Sequence, residues 1–129
     1  MPPAREEMSR DLLTVDAGLS LSEVAEKMVA REVGAVLILD GERLAGILTE
    51  RDVLRAVARG IRDDAVVQDC MTTDPETIAP DDTTEHAATL MMHGGFRHLP
   101  VVEGGKVVGI VSIRDLMRIA LADSAPRGV

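Results

Sequence analysis

Aromatic side chains are almost missing from this chain of 129 residues: Phe96 stands alone, with no Trp and no Tyr. That excludes a surface on which the bases of a single strand stack. Positive charge is also scarce, with 14 basic residues against 22 acidic ones and a formal net charge of −8. Such a surface does not neutralise DNA or RNA phosphates. Cys70 has no second cysteine to pair with, so an internal disulfide is excluded. No long apolar run is present: the stretch from Val36 to Leu39 is far too short to span a bilayer. Nor does any segment combine a basic start, an apolar core and a small-residue cleavage site. His86, His93 and His98 lack the clustered cysteine and carboxylate partners of a metal site, and no metal is expected. Together these absences predict a cytoplasmic protein that binds neither nucleic acid nor membrane.

What the chain does have is a duplication. Residues 8–57 and 71–120 align without a gap at an offset of 63, so two copies of one small unit make the fold. Met8 meets Met71, Asp11 meets Asp74, Thr14 meets Thr77 and Met28 meets Met91. Agreement is densest where GILTERDVLRAV runs against GIVSIRDLMRIA. A copy of about 50 residues buries too little to stand well alone, so the copies are expected to share a core.

Each copy reads as β-α-β-β-α. In the first, residues 13–16 are extended and a helix runs over 20–31, with Ser20 and Glu23 at capping-box spacing and Leu21, Val24, Ala25, Met28 and Val29 on one face. AVLILD and RLAGILT, split by Gly41-Glu42, form a hairpin, and a second helix over 50–59 stops at Gly60. The second copy repeats this order with an extended 77–79, a helix over 83–93, strands over 99–103 and 106–112, and a helix over 113–121. The boundaries are 8–60 for the first repeat, 61–70 for a connector, 71–121 for the second repeat and 122–129 for a frayed tail. VQDCMT in the connector suits one helical turn, and residues 5–10 play the same part for the first copy. The helix-face methionines suit core or interface positions, Phe96 suits a core anchor rather than an adenine platform, and Cys70 an inert thiol.

The chemistry concentrates at the two strand-to-helix junctions, GILTERD and GIVSIRD. Thr49 and Ser112 fall at the N-cap, Asp52 and Asp115 in the first turn. Capping alone accounts for a hydroxyl and a carboxylate at this spacing. It does not account for Arg51 and Arg114, which recur with them. A hydroxyl and free amides at a helix start suit a phosphate, the arginines add charge-assisted donors, and a carboxylate is an acceptor for a ribose diol. The combination describes a nucleotide site.

On these residues, with DCMTTDPETI and GFRHLPVVEGGKVVGIVS, the chain resembles a tandem pair of cystathionine β-synthase (CBS) domains over residues 8–120. The resemblance implies an α/β (α+β) fold in which the repeats pack about a pseudo-two-fold axis and leave two clefts for adenosine-containing ligands: AMP, ADP, ATP or S-adenosylmethionine. It implies that Asp52 and Asp115 hold ribose hydroxyls, and that Thr49 and Ser112 face phosphates with Arg51 and Arg114. Val15, Ala35, Val36, Ile78, Leu99 and Pro100 would flank the adenine. Arg97 and His98 would add positive charge in the second cleft, where the first has Gly34 and Ala35, so the clefts are expected to differ in affinity. No constellation of nucleophile, base and oxyanion donors is visible. The chain therefore reads as a non-enzymatic sensor that requires no cofactor, forms at least a homodimer and acts on an effector protein by population shift. The alternative is a constitutive scaffold with vestigial clefts.

Overall fold

The computed structural model describes residues 2–62 and 64–124, with the side chains of 123 and 124 left out. The elements run α1 (Ala4–Glu7), β1 (Thr14–Asp16), α2 (Leu21–Arg31), β2 (Ala35–Asp40), β3 (Arg43–Thr49), α3 (Glu50–Ala58), a 3-10 turn (Val67–Asp69), β4 (Thr72–Thr73), α4 (Thr84–Gly94), β5 (His98–Glu103), β6 (Lys106–Ser112) and α5 (Ile113–Ser124). The mixed α/β order read from the repeats is present, with a four-stranded sheet, β1-β2-β3-β4, and a two-stranded one, β5-β6.

The chain divides into two compact units that are not contiguous stretches. Of the described residues, one unit holds those within 11–75 together with 105–107, and the other holds those up to 10, 76–104 and those from 108 on. In the 11–75 unit, β1 lies parallel to β2 and β2 antiparallel to β3. The apolar run of β2 is buried at Ala35, Val36, Leu37 and Ile38, on a strand flanked by β1 and β3. Helix α2 lays Leu21, Val24 and Met28 into the core, each worth about 1.5–3 kcal/mol of apolar burial. Ser20 caps it by accepting from the Glu23 amide at 3.2 Å. The core is closed by Val67 of the 3-10 turn, whose amide donates to the Leu19 carbonyl at 2.8 Å.

The other unit is built alike, with Ile78, Ala87, Met91, Leu99, Val101, Val111, Leu116 and Ile119 at its centre. Its closing residue is Ala4 of α1, whose amide donates to the Asp82 carbonyl at 2.8 Å, and Arg5 pairs with Asp81. Ala4 and Val67 are 63 positions apart in the sequence. The lead-in segment of each repeat is thus built into the unit that holds the other repeat's helices. The methionines make the same exchange: Met71 packs beside Gly46 of β3, and Met8 beside Gly109 of β6.

Three local differences from the sequence reading have simple causes. The extended piece expected over 77–79 reduces to one parallel bridge, Ile78 with Val101. Strand β4, paired antiparallel with β3 at Gly46 and Ile47, has no apolar signal, since both its threonines are exposed. Helix α5 continues to Ser124 rather than ending near Leu121, as Ala122 offers nothing to stop it. The rest of the expected frayed tail, 125–129, lies outside the described residues. Phe96 is half-buried against the core, its ring beside Gly94.

Candidate functional site

Both junctions form reciprocal caps. In the 11–75 unit the Asp52 Oδ2 accepts from the Thr49 amide at 2.9 Å and from its Oγ1 at 3.1 Å, while the Asp52 amide donates back to Oγ1 at 3.3 Å. In the other unit the Asp115 Oδ2 accepts from the Ser112 amide at 2.8 Å and Oγ at 3.0 Å, and the Asp115 amide donates to Oγ at 3.2 Å. Two donors to one carboxylate oxygen hold the aspartate side chain fixed at the helix start, where its charge also suits the dipole. The second carboxylate oxygen, Oδ1, is left for another donor.

Around Thr49 the sheet register assembles the other predicted residues. Ala35 pairs with Thr49 and Val36 with Leu48 across β2 and β3, and Val15 pairs with Ile38 across β1 and β2. The Gly34 carbonyl accepts from the Glu50 amide at 3.0 Å, which ties the approach to β2 to the first residue of α3. Val15, Ala35 and Val36 are all buried, so chiefly their backbone and edges are available to a ligand.

The other unit repeats the arrangement with different chemistry. There the Arg97 carbonyl accepts from the Ile113 amide at 2.8 Å, so Arg97 stands at the start of α5 where the other repeat has a glycine. Its side chain is exposed, and His98 is half-buried at the first position of β5. The Ile78 amide donates to the Pro100 carbonyl at 3.0 Å, and the Val102 amide to the Ile78 carbonyl at 2.8 Å. Ile78, Leu99 and Pro100 are buried. Arg51 and Arg114 lie exposed on the first turns of α3 and α5, next to the aspartates in sequence.

Two charged residues escaped the sequence reading of the site. Arg55 Nη1 lies 3.9 Å from Asp52 Oδ1, and Arg118 Nη2 donates to Asp115 Oδ1 at 2.6 Å. The signal was the R-D-x-x-R spacing of both repeats, which puts aspartate and arginine one turn apart on a helix. Asp52 also acts through its charge on the thiol of Cys70. Burial pushes the Cys70 pKa up, and the negative charges of Asp69 and Asp52 push it further. Among the described residues no group of three or more His, Cys, Asp or Glu is placed to hold a metal ion. No described helix is long and apolar enough to cross a membrane.

The family model of the CBS domain matches the chain twice, over residues 4–59 and 67–122. The CBS domain-containing protein YhcV of Bacillus subtilis is 32% identical over 90% of this chain and 84% of its own length. A protein of Acidianus ambivalens is 38% identical over 83% of this chain. This chain spans 66% of that protein and 44% of a relative in Methanocaldococcus jannaschii that is 33% identical to it. Among solved structures, a CBS domain protein of Pyrobaculum aerophilum in complex with AMP superposes with a TM-score of 0.83 at 28% identity, covering 94% of this chain and 98% of that one. A CBS domain pair in complex with 5′-methylthioadenosine and S-adenosyl-L-methionine gives 0.89 at 25% identity, covering 95% and 98%.

Proposed function

This chain belongs to the CBS domain family, with two copies of the domain in tandem, and on that premise we propose that it is a regulatory module for an adenosine-containing ligand. The class takes in AMP, ADP, ATP and S-adenosylmethionine. The observation that carries the reading is the repeated junction: each repeat holds an aspartate rigidly at a helix start, with one carboxylate oxygen turned away from the cap. Asp52 and Asp115 accept from ribose hydroxyls, and Thr49 and Ser112 face phosphates, aided by Arg51 and Arg114. Arg97 and His98 give the second repeat the greater affinity for phosphate. The related pairs solved with AMP and with S-adenosyl-L-methionine support the ligand class.

The module works in the cytoplasm without catalysing a reaction. Ligand favours one of two arrangements by its differential affinity, and the helices carry the difference to a partner. Large apolar side chains stand exposed at matching positions of the two repeats, Val29 with Met92 and Leu54 with Met117. Paired faces of this kind suit a second copy of the chain, and a homodimer is the minimal assembly.

A thermal-shift panel of AMP, ADP, ATP, NAD, S-adenosylmethionine and GTP tests the reading. At a concentration about a hundred times Kd a ligand stabilises the folded chain by about 2.7 kcal/mol. The shift should occur with adenosine ligands and vanish in the Asp52→Ala, Asp115→Ala double variant. A panel flat for every ligand would leave a constitutive scaffold.

A further inference from the structure

Resting on the adenosine reading of the two junctions, we infer that the first repeat takes adenosines whose 5′ substituent is neutral or cationic, a nucleoside, thioether or sulfonium, and that Glu50 is the residue that disfavours a phosphate there. In each repeat one backbone bond brings two residues together beside the junction. The Glu50 amide donates to the Gly34 carbonyl at 3.0 Å, and the Ile113 amide to the Arg97 carbonyl at 2.8 Å. The bond is the same in both repeats, but the residues it joins are not. Glycine meets glutamate in the first, and arginine meets isoleucine in the second.

The helix start itself does not discriminate. Of the four amides that a helix leaves without an intrahelical partner, three are engaged in each repeat. Those of Thr49 and Ser112 donate to the aspartates, those of Glu50 and Ile113 to the carbonyls just named, and those of Asp52 and Asp115 to the hydroxyls. The amide of Arg51 or Arg114 is what remains for an anion, and its contribution is equal in the two repeats. Side-chain charge therefore decides. Arg51 and Arg114 are common to both repeats, which leaves a carboxylate, Glu50, on one side and a guanidinium, Arg97, on the other, both exposed. Ile113 packs against the core of its unit, whereas Glu50 forms no ion pair among the described residues. In water a unit charge about 6–8 Å from a phosphate changes its affinity by about two- to threefold. A negative charge in one repeat and a positive one in the other thus separate them by about four- to ninefold for AMP. A sulfonium gains where the phosphate loses. If Glu50 served only the helix dipole, the ligand preference would not depend on it.

Isothermal titration with AMP, adenosine and S-adenosylmethionine tests this in the unaltered chain and in chains with one working repeat. Asp115→Asn leaves the first repeat in use and Asp52→Asn the second; asparagine keeps an acceptor for the cap, and far-UV circular dichroism verifies the fold. The preference for AMP over adenosine should be about four- to ninefold greater in the second repeat. In the first, Glu50→Gln should tighten AMP by about two- to threefold, weaken S-adenosylmethionine and change adenosine by less, and about 0.5 M salt should shrink these changes. In the second, Arg97→Gln should weaken AMP by the same factor and adenosine by less. Both variants should act in the same directions when made in the unaltered chain. Equal preferences in the two repeats, or a Glu50→Gln change that moves AMP and adenosine together, overturns the inference while adenosine binding keeps the site reading standing. Absence of binding by all three ligands to the unaltered chain overturns both.

Discussion

Adding one methyl group to each of two equivalent glycines should have unequal effects. Gly46 and Gly109 occupy the same position of β3 and β6, 63 residues apart, and neither has a left-handed φ. Alanine therefore meets no backbone strain at either, and by restricting the unfolded chain it brings about 0.4–1 kcal/mol of stability. What opposes it is the lead-in segment. A Cβ on Gly46 would lie 2.5 Å from the Met71 Sδ and 2.8 Å from the Thr72 carbonyl oxygen, which is held in β4. The three atoms nearest a Cβ on Gly109 would all belong to Met8: its Cβ at 3.0 Å, its Cγ at 2.6 Å and its Sδ closer still. A methionine side chain can turn aside; a strand carbonyl cannot without moving the strand. Overpacking of the rigid kind costs about 1–3 kcal/mol, so Gly46→Ala should lose about 1–2 kcal/mol net, or about 4–7 °C in Tm for a chain of this size. Gly109→Ala should lose less than about 1 kcal/mol, because the thioether withdraws. Adding Met8→Ala to Gly109→Ala should relieve that clash, whereas Met71→Ala added to Gly46→Ala leaves the carbonyl in place. Urea unfolding of the five chains measures all of this. Equal losses at the two glycines, or a stabilised Gly46→Ala, would refute the reasoning.

Thr84→Val should raise the urea midpoint by about 1 kcal/mol of stability, because the Thr84 side chain is fully buried with no hydrogen-bond partner for its Oγ1 among the described residues. The equivalent residue of the first repeat, Leu21, is already apolar, and a lowered midpoint would show that the hydroxyl is satisfied. The Cys70 thiol, pushed up by burial, Asp69 and Asp52, should alkylate with a pH midpoint above that of the unfolded chain. The sign follows for stability: the contribution is complete below the unfolded thiol's pKa and lost as pH rises through the raised folded value. Asp52→Asn should move the alkylation midpoint back down, and an unmoved midpoint would remove Asp52 from the account.

The fold was legible because its strongest signals are local and occur twice. The run at 35–40, the capping spacing at Ser20 and the glycine-split hairpins each imply their element from neighbouring residues alone. The caps of Asp52 and Asp115 were legible for the same reason. The placement of Met8, Ala4, Met71 and Val67 was not. An offset of 63 says which residues correspond, not which unit they pack into, and the exchange preserves every correspondence. The short β4 was hidden because threonines paired at a sheet edge carry no hydrophobic period. Arg55 and Arg118 were visible as a repeated pair, but their different distances to the aspartates depend on side-chain geometry that spacing does not fix.

The exchanged lead-in segments also bear on how the chain acquires its structure as it leaves the ribosome. Residues 2–10 are made before the rest of the unit they pack into, and Ser9 bridges Ile110, about a hundred residues later in synthesis. The unit holding residues 11–75 takes its closing pieces, Val67 and β4, from chain that follows soon after its own helices. The two units, alike when folded, thus differ in contact order: one can assemble while translation continues, and the other waits for the last strand with its first residues unpaired.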